Sequence, residues 1–384
     1  MSAALTREQT DLSRTVADLM AARSPESEVR RLMADTAGYD SGVWAELAEL
    51  GLVGLVIPEQ FGGMGAGAVE LAVVSEQLGR SLLCAPYLST AVMTPYLLLA
   101  LDNTAECADV LPAIADGTMI AAVAFAEQGG EQGAEQGAEQ GSARPPQHPA
   151  TTAVIDGDGW RLTGEKTYVL DAAAADRVYV QADSPSGVGI FAVDRDAPGL
   201  SVHPLETVDQ TRRQGRLTLD QTPARLVEGP AGAARALESA LDHAAVALIA
   251  EQAGGALHAM AMAADYTRTR FQFGRAIGSF QAIKHLCVDM LLEAQSALSA
   301  ARHVAACFDA AEPDRLADLA LAQAFCSEAF VSVAATNIQV HGGIGFTWEH
   351  PAHLYLRRAR TDAQIFGDPS WHRERYVRIR EEQS

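Results

Sequence analysis

Positive charge is scarce in this sequence. Against 49 acidic residues stand 29 lysines and arginines, which gives a formal charge of −20 and an isoelectric point near 4.8. Such a field repels phosphate backbones and excludes nucleic-acid binding, and any anionic ligand needs a local basic pocket. Cysteine is sparse too. Cys84, Cys107, Cys287, Cys307 and Cys326 are odd in number, scattered, and lack the paired spacing of a metal site. They read as buried thiols in a reducing compartment. The N-terminal stretch MSAALTREQTDL carries no basic-then-apolar leader pattern, and Asp, Glu or Arg breaks every apolar run before it reaches membrane-spanning length. These absences predict a cytoplasmic protein without a membrane span.

What is present is apolar patterning enough for two or three domains: 384 residues, 48% of them hydrophobic. Residues 4–50 read as helices, opened by a capping box in which Thr6 is followed three positions on by Gln9. Trp44, Leu47, Leu50 and Leu52 then form an apolar stripe, residues 58–65 (PEQFGGMG) break it, and helices resume over 69–82 and 89–101. From Met119 the pattern shortens to β-type runs at 120–125, 161–162, 168–170, 178–182, 189–193 and 217–219, separated by Gly, Pro and Asp. Helical periodicity returns from Ala231: to Phe273, over 280–308, over 315–340, and after Pro369. The fold class is therefore α+β and multidomain, with an all-α domain at 1–118, a β domain at 119–228 and a helical bundle at 229–384. Inside the β domain, residues 127–141 repeat EQG four times at a four-residue period. A tract of this composition buries no core, and a mobile loop is expected over 127–150.

The segment with the clearest chemical content is 266–289, YTRTRFQFGRAIGSFQAIKHLCVD. Arg270 falls on the last turn of a helix, before a polar residue, an aromatic and Gly274. A guanidinium there can hold a phosphate through two hydrogen bonds, and the glycine lets the backbone turn close by. Taken alone the pattern fits a surface arginine before an ordinary helix break equally well. The segment also resembles the flavin-binding signature of acyl-CoA dehydrogenases, and residues 339–351, QVHGGIGFTWEHP, resemble the second C-terminal signature of that family. The two stand in the family's order about 60 residues apart, and the similarity thins only between about 127 and 176. The resemblance implies an N-terminal α-helical domain, a middle β-barrel and a C-terminal four-helix bundle. It also implies FAD as cofactor, an acyl-CoA substrate and an electron-transfer acceptor. In such enzymes a carboxylate removes the α-proton of a thioester while hydride passes from the β-carbon to the flavin.

Carried over residue by residue, the resemblance puts Arg270, Gln272 and Phe273 at the FAD pyrophosphate. Gln339, Gly342 and Gly343 fall where a neighbouring loop closes on the cofactor, the glycine pair being readable also as a helix C-cap. The flavin-ring contacts depart from the family pattern. The Thr-Glu-Pro-Gly turn is replaced by Ala126, Glu127, Gln128 and the repeat, and the Trp-Ile-Thr-Asn run by Tyr168, Val169, Leu170 and Asp171. Leu170 offers no hydroxyl donor, while Tyr168 can stand as an aromatic wall. Neither family position for the base holds a carboxylate: one falls near Ser370, the other near Ala244. Asp368 is the nearest displaced candidate, though Gly-Asp-Pro before a helix is the pattern of an N-cap. Glu251 and Glu127 are further candidates, each with a structural reading that fits better. His341, His350 and His353 match no metal-ligand spacing, and no metal is expected. An ADP grip without a base suits a hetero-oligomer in which a second acyl-CoA dehydrogenase subunit supplies the flavin face and the glutamate, as in actinobacterial sterol-degrading members. The alternatives are a self-sufficient homodimer or homotetramer using Asp368, and a non-catalytic assembly subunit.

Overall fold

The capping box at Thr6 forms: Gln9 N donates to Thr6 Oγ1 at 3.2 Å, and Gln9 Oε1 accepts from Thr6 N at 3.0 Å. It opens α1 (Arg7–Arg23), which is followed by α2 (Glu26–Ala34), α3 (Ser41–Glu49), α4 (Ala68–Arg80), α5 (Thr94–Leu101) and α6 (Thr104–Ala115). A buried π-helical segment, Tyr87–Met93, leads into α5. The computed structural model describes residues 5–127, 144–157 and 159–383. Most of the EQG repeat therefore lies outside the described residues.

Seven strands follow: β1 (Ala121–Ala124), β2 (Thr152–Asp156), β3 (Gly159–Leu170), β4 (Arg177–Ser184), β5 (Gly187–Asp194), β6 (Leu200–Pro204) and β7 (Gln214–Glu228). They form one sheet of order β1-β4-β2-β3-β7-β5, with β6 beside β7. Pairing of β4 with β5, as well as of β4 with β2, closes the path on itself, so the expected barrel is present. Two short runs of the sequence reading, at 161–162 and 168–170, prove to be parts of the single strand β3. β2 and β6, short and largely exposed, are not among the expected runs, although β2 carries Ala153, Val154 and Ile155.

The remaining elements are α7 (Pro230–Thr269), a small hairpin β8 (Phe271–Gln272) and β9 (Arg275–Ala276), α8 (Gln281–Asp309), α9 (Arg315–His341), α10 (Ala352–Asp362) and α11 (Pro369–Glu382). Compactness divides the chain into two units. One joins Met1–Arg31, Gly67–Leu83 and Ala245–Ser384; the other joins Leu32–Ala66 and Cys84–Ala244.

In the first unit α4 is held by distant partners. Asp309, the last residue of α8, accepts from Ala68 N at 2.6 Å and Val69 N at 3.0 Å, so a carboxylate from another helix caps α4. Further along, α4 and α7 cross in backbone contact. A Cβ on Gly79 would lie 2.0 Å from Glu251 O, and one on Gly254 would lie 2.0 Å from Glu76 O, so both glycines are needed for the approach. Two helices, Gly232–Thr269 and Arg315–Phe346, do reach the length and mean hydropathy of a membrane span, contrary to the sequence expectation. In these spans 72% and 61% of the most apolar window is buried inside the protein, as in the core helices of a bundle.

In the second unit the described margins of the EQG segment are tied down. Pro146 O accepts from Gln181 Nε2 at 3.1 Å, Arg144 contacts Asp242 at 3.2 Å, and Ala150 N donates to Glu127 at 2.6 Å. The loop expected over 127–150 is thus fixed at Glu127 and from Arg144 onward. Arg213 closes the C-terminal end of α2, donating from one nitrogen to the carbonyls of Leu32, Met33 and Asp35.

Candidate functional site

The first signature segment builds a protruding hairpin in the first unit. Arg270 follows the last residue of α7; its N–H continues the helix to Tyr266 O at 2.9 Å, and its carbonyl accepts from Ile277 N at 2.9 Å across the hairpin. Gln272 pairs with Arg275, leaving Phe273 and Gly274 as a two-residue turn with φ of +53° and +77°. Positive φ at both positions is the geometry that matches hairpin twist, and a bulky Phe occupies the first of them only under strain. Phe273 is 92% exposed. Gly274 has nothing within 4 Å of where a Cβ would stand, so within the chain its need is conformational and not one of close packing. Arg275 lies over the Phe280 ring at 3.9 Å and gives the hairpin its base.

Arg270 itself is exposed, and among the described residues no hydrogen-bond or ion-pair partner engages its guanidinium. Its neighbour Arg268 differs, pairing with Asp265 at 2.8 Å.

The second signature lies beside the first. Tyr266 packs on His341 with ring centroids 4.2 Å apart, and His341 on His350 at 4.3 Å. His341 closes α9, its Nδ1 within 2.8 Å of Asn337 O. Gly342, φ +66°, is the C-cap, so the capping reading of the glycine pair holds for its first member. Gln339, Gly342 and Gly343 are exposed, and added Cβ atoms on the two glycines would meet nothing within 4 Å. An unpaired guanidinium, two exposed amide side chains and open glycine backbone are the donor set of an anion grip. They fit the diphosphate of FAD.

The histidines named from sequence are engaged elsewhere. His353 meets Trp348 edge-on at 4.7 Å, and His350 Nδ1 accepts from Ala352 N at 3.2 Å. Burial, with help from Arg357 and Arg30, lowers the His353 pKa to about 4; burial and Arg80 do the same for His258, stacked on Tyr355 at 5.0 Å. Depressed histidines stay neutral in the folded chain while the unfolded chain takes up protons from about pH 6.5 downward. Stability from both is therefore complete above pH 6.5 and lost as pH falls toward 4. The thermal midpoint should drop across that window, and replacing both with Gln should flatten that part of the profile; a midpoint equally steep in the double variant would contradict the assignment.

The second unit holds Tyr168, 42% exposed and at φ +54°. The β3–β7 register shifts between Lys166 and Val169, so Tyr168 sits on a bulge that turns it out of the ladder. Leu170 is buried and pairs with Gln214. Asp171, also at positive φ, accepts from Ser89 Oγ at 2.7 Å. Just beneath, Glu127 is buried and fully occupied. It accepts from Lys166 Nζ at 2.6 Å, from Thr151 Oγ1 at 2.7 Å and N at 2.9 Å, and from Ala150 N at 2.6 Å. Burial raises its pKa, but the Lys166 ammonium and the Thr151 donors outweigh that and hold it below 4.5. Lys166 is lowered to about 8 by burial, with Glu127 opposing.

Neither position to which the resemblance assigns the base, Ala244 or Ser370, holds an acid. Ala244 is fully buried in α7; beside it His243 stacks on Tyr96 at 4.0 Å and Asp242 holds Arg144. Ser370 is exposed in the first turn of α11. Asp368 caps α11, accepting from Trp371 N at 2.7 Å. Glu251 is bound to buried Arg358. Phe366, two residues before Asp368, stands at φ +62°. The strained aromatics Phe273, Tyr168 and Phe366 were not legible in advance, because a positive φ outside Gly, Asn and Asp has no compositional signal.

Family models described as acyl-CoA dehydrogenase N-terminal, middle and C-terminal domains match residues 6–118, 134–222 and 231–378. Acyl-CoA dehydrogenase IpdE2 of Mycobacterium tuberculosis is 34% identical over 93% of this chain and 92% of its own length. A structure titled Tcur3481-Tcur3483 steroid ACAD G363A variant superposes with TM-score 0.84 at 32% identity, over 98% of both chains. The ChsE4-ChsE5 complex from Mycobacterium tuberculosis gives 0.86 at 28%, over 99% of this chain and 98% of the other. With both signatures in place on a three-part helix–barrel–helix scaffold, the chain belongs to the acyl-CoA dehydrogenases, a family of oxidoreductases that generally carry FAD.

Proposed function

We propose that this chain is one subunit of a heteromeric, FAD-dependent acyl-CoA dehydrogenase that introduces an α,β double bond into an acyl-CoA thioester. In this reading it grips the ADP half of the cofactor, and a partner subunit supplies the catalytic glutamate. The observation that carries it is the contrast between two regions of the first unit. Arg270 stands exposed and unpaired beside open glycines, while Asp368, the carboxylate nearest a family base position, is spent on a helix cap. Proton abstraction from a weakly acidic α-carbon needs a desolvated carboxylate in contact with it, and a cap that accepts from Trp371 N is held in place for another task. FAD, when bound, accepts the hydride; this chain's contribution is to neutralise the diphosphate through Arg270, with Gln272, Phe273, Gln339, Gly342 and Gly343 around it. Tyr168 serves as an aromatic wall.

Two of the similar structures carry titles with two named chains, Tcur3481-Tcur3483 and ChsE4-ChsE5, and the first is called a steroid ACAD. These support an unlike partner and a bulky substrate such as a sterol side-chain thioester. The domain bounds near residues 118 and 228, a cytoplasmic location and a separate electron-transfer acceptor belong to the same reading. The test is flavin content of the chain purified alone and co-expressed with a second acyl-CoA dehydrogenase subunit that carries the glutamate. Little FAD alone and about one per pair of unlike chains together is the expected result. Near-stoichiometric FAD on the chain alone, with flavin reduced by an acyl-CoA, would overturn it.

A further inference from the structure

A second cluster, apart from both signatures, gathers on the hairpin between α8 and α9. His303 and Cys307 are four residues apart on α8 and share a face, and Asp318 in the first turn of α9 is brought against them. We propose that His303, Cys307 and Asp318 form a binding site for a borderline divalent cation of the zinc type. The geometry carries it. A tetrahedral ion with bonds of about 2.0–2.3 Å sets its ligand atoms roughly 3.3–3.6 Å apart. Here His303 Nε2 lies 3.2 Å from Asp318 Oδ2 and 3.6 Å from Cys307 Sγ, and Sγ lies 3.8 Å from Oδ2. Three donors of three kinds thus already stand near the corners of one tetrahedral face.

The donor chemistry selects the ion. Thiolate and imidazole suit zinc-like cations, and two anionic ligands with one neutral imidazole balance a divalent charge; magnesium and calcium require oxygen. Binding releases the thiol proton to solvent and leaves a fourth position for water. One adjustment is needed. Sγ lies nearly as close to Nδ1, 3.8 Å, as to Nε2, so the imidazole must turn to aim its lone pair at the ion. The His303 side chain is half exposed, and that turn moves it through solvent. Asp318 is partly exposed and Cys307 buried, which gives the site a solvent-side entry and a fixed floor. The consequence is a metal clasp across the turn that joins the two helices. The signal in the sequence was a His-x3-Cys pair on a helix, with its third ligand hidden behind a turn.

The full-length chain, stripped with a chelator, is titrated with Co²⁺ and then Zn²⁺. The expected result is saturation at one ion per chain, with a thiolate-to-cobalt charge-transfer band that Zn²⁺ abolishes. Cys307→Ser should remove the band, and His303→Ala, a change at an exposed position that leaves the core intact, should weaken binding at least roughly tenfold. No thiolate band in the parent chain, or a band that survives Cys307→Ser or is undiminished in His303→Ala, overturns the proposal. The readout is spectroscopic and independent of flavin, so its failure leaves the proposed activity untouched.

Discussion

Alanine in place of Arg270 should weaken FAD binding by the partnered chain by roughly 10- to 100-fold, the worth of one well-made hydrogen-bonded ion contact. The reason is the unusual freedom of this guanidinium. A cation in an acidic protein of net charge −20 would ordinarily be taken by a neighbouring carboxylate, as Asp265 takes Arg268. Arg270 is left available, so an incoming diphosphate gains its charge and its paired donors without first breaking an internal bond. Arg270→Lys should fall between parent and alanine, because an ammonium keeps the charge but loses the planar fork. Arg268→Ala should leave affinity unchanged. Equal FAD retention in the Arg270 and Arg268 alanine variants, measured by equilibrium dialysis of the co-purified complex, would remove Arg270 from the grip.

The largest stability effect is expected at Lys166. Replacing it with Met leaves Glu127 buried with its hydroxyl and amide donors but without its cation, and a single broken buried pair costs about 3–5 kcal/mol. The deficit should depend on pH. Without Lys166 the folded-state pKa of Glu127 rises above its unfolded value of 4.5, so the folded chain holds a proton that the unfolded chain has lost. The penalty therefore grows as pH rises from about 4.5 and is smallest in acid. Adding Glu127→Gln should recover most of the loss. Denaturant melts of the two variants at pH 5 and pH 8 check this, and a pH-independent deficit would mean that packing and not charge is responsible. Because the pair ties the end of β1 to β3 directly under the bulge, Tyr168 should lose its fixed position in the single variant.

The helices, the β character of the middle domain and the cap at Asp368 could be read from sequence because each rests on a local pattern: period 3.6, short β-branched runs, and Asp-Pro before a helix. The closure of the strands into a barrel came only from the family resemblance. The segment proposed as the ADP grip was legible through its resemblance to the family's signature, since the residues alone fit a surface arginine before a helix break equally well. What escaped reading were features set by distant residues. Glu127 gives no sequence hint that Lys166 and Thr151 enclose it. The strain at Phe273 and Tyr168 belongs to backbone dihedrals, on which composition is silent, and α10 was hidden by its mixture of Arg, His and apolar residues. Membrane-length apolarity in α7 and α9 was underestimated because single charges in the sequence look like interruptions, whereas in the fold the inward-lying Asp242 and Glu251 of α7 are neutralised by Arg144 and Arg358.

The Asp309 cap on α4 has a consequence for biosynthesis. During translation α1 and α4 leave the ribosome some 240 residues before the carboxylate that closes the start of α4, and before the Gly254 backbone on which α4 must rest. The β-rich unit can complete its barrel in the meantime. The first unit cannot, since its remaining chain is still being made. Its opening helices must wait, partly unburied, for the C-terminal bundle to arrive, and this interval of exposed apolar surface is where chaperone engagement should concentrate.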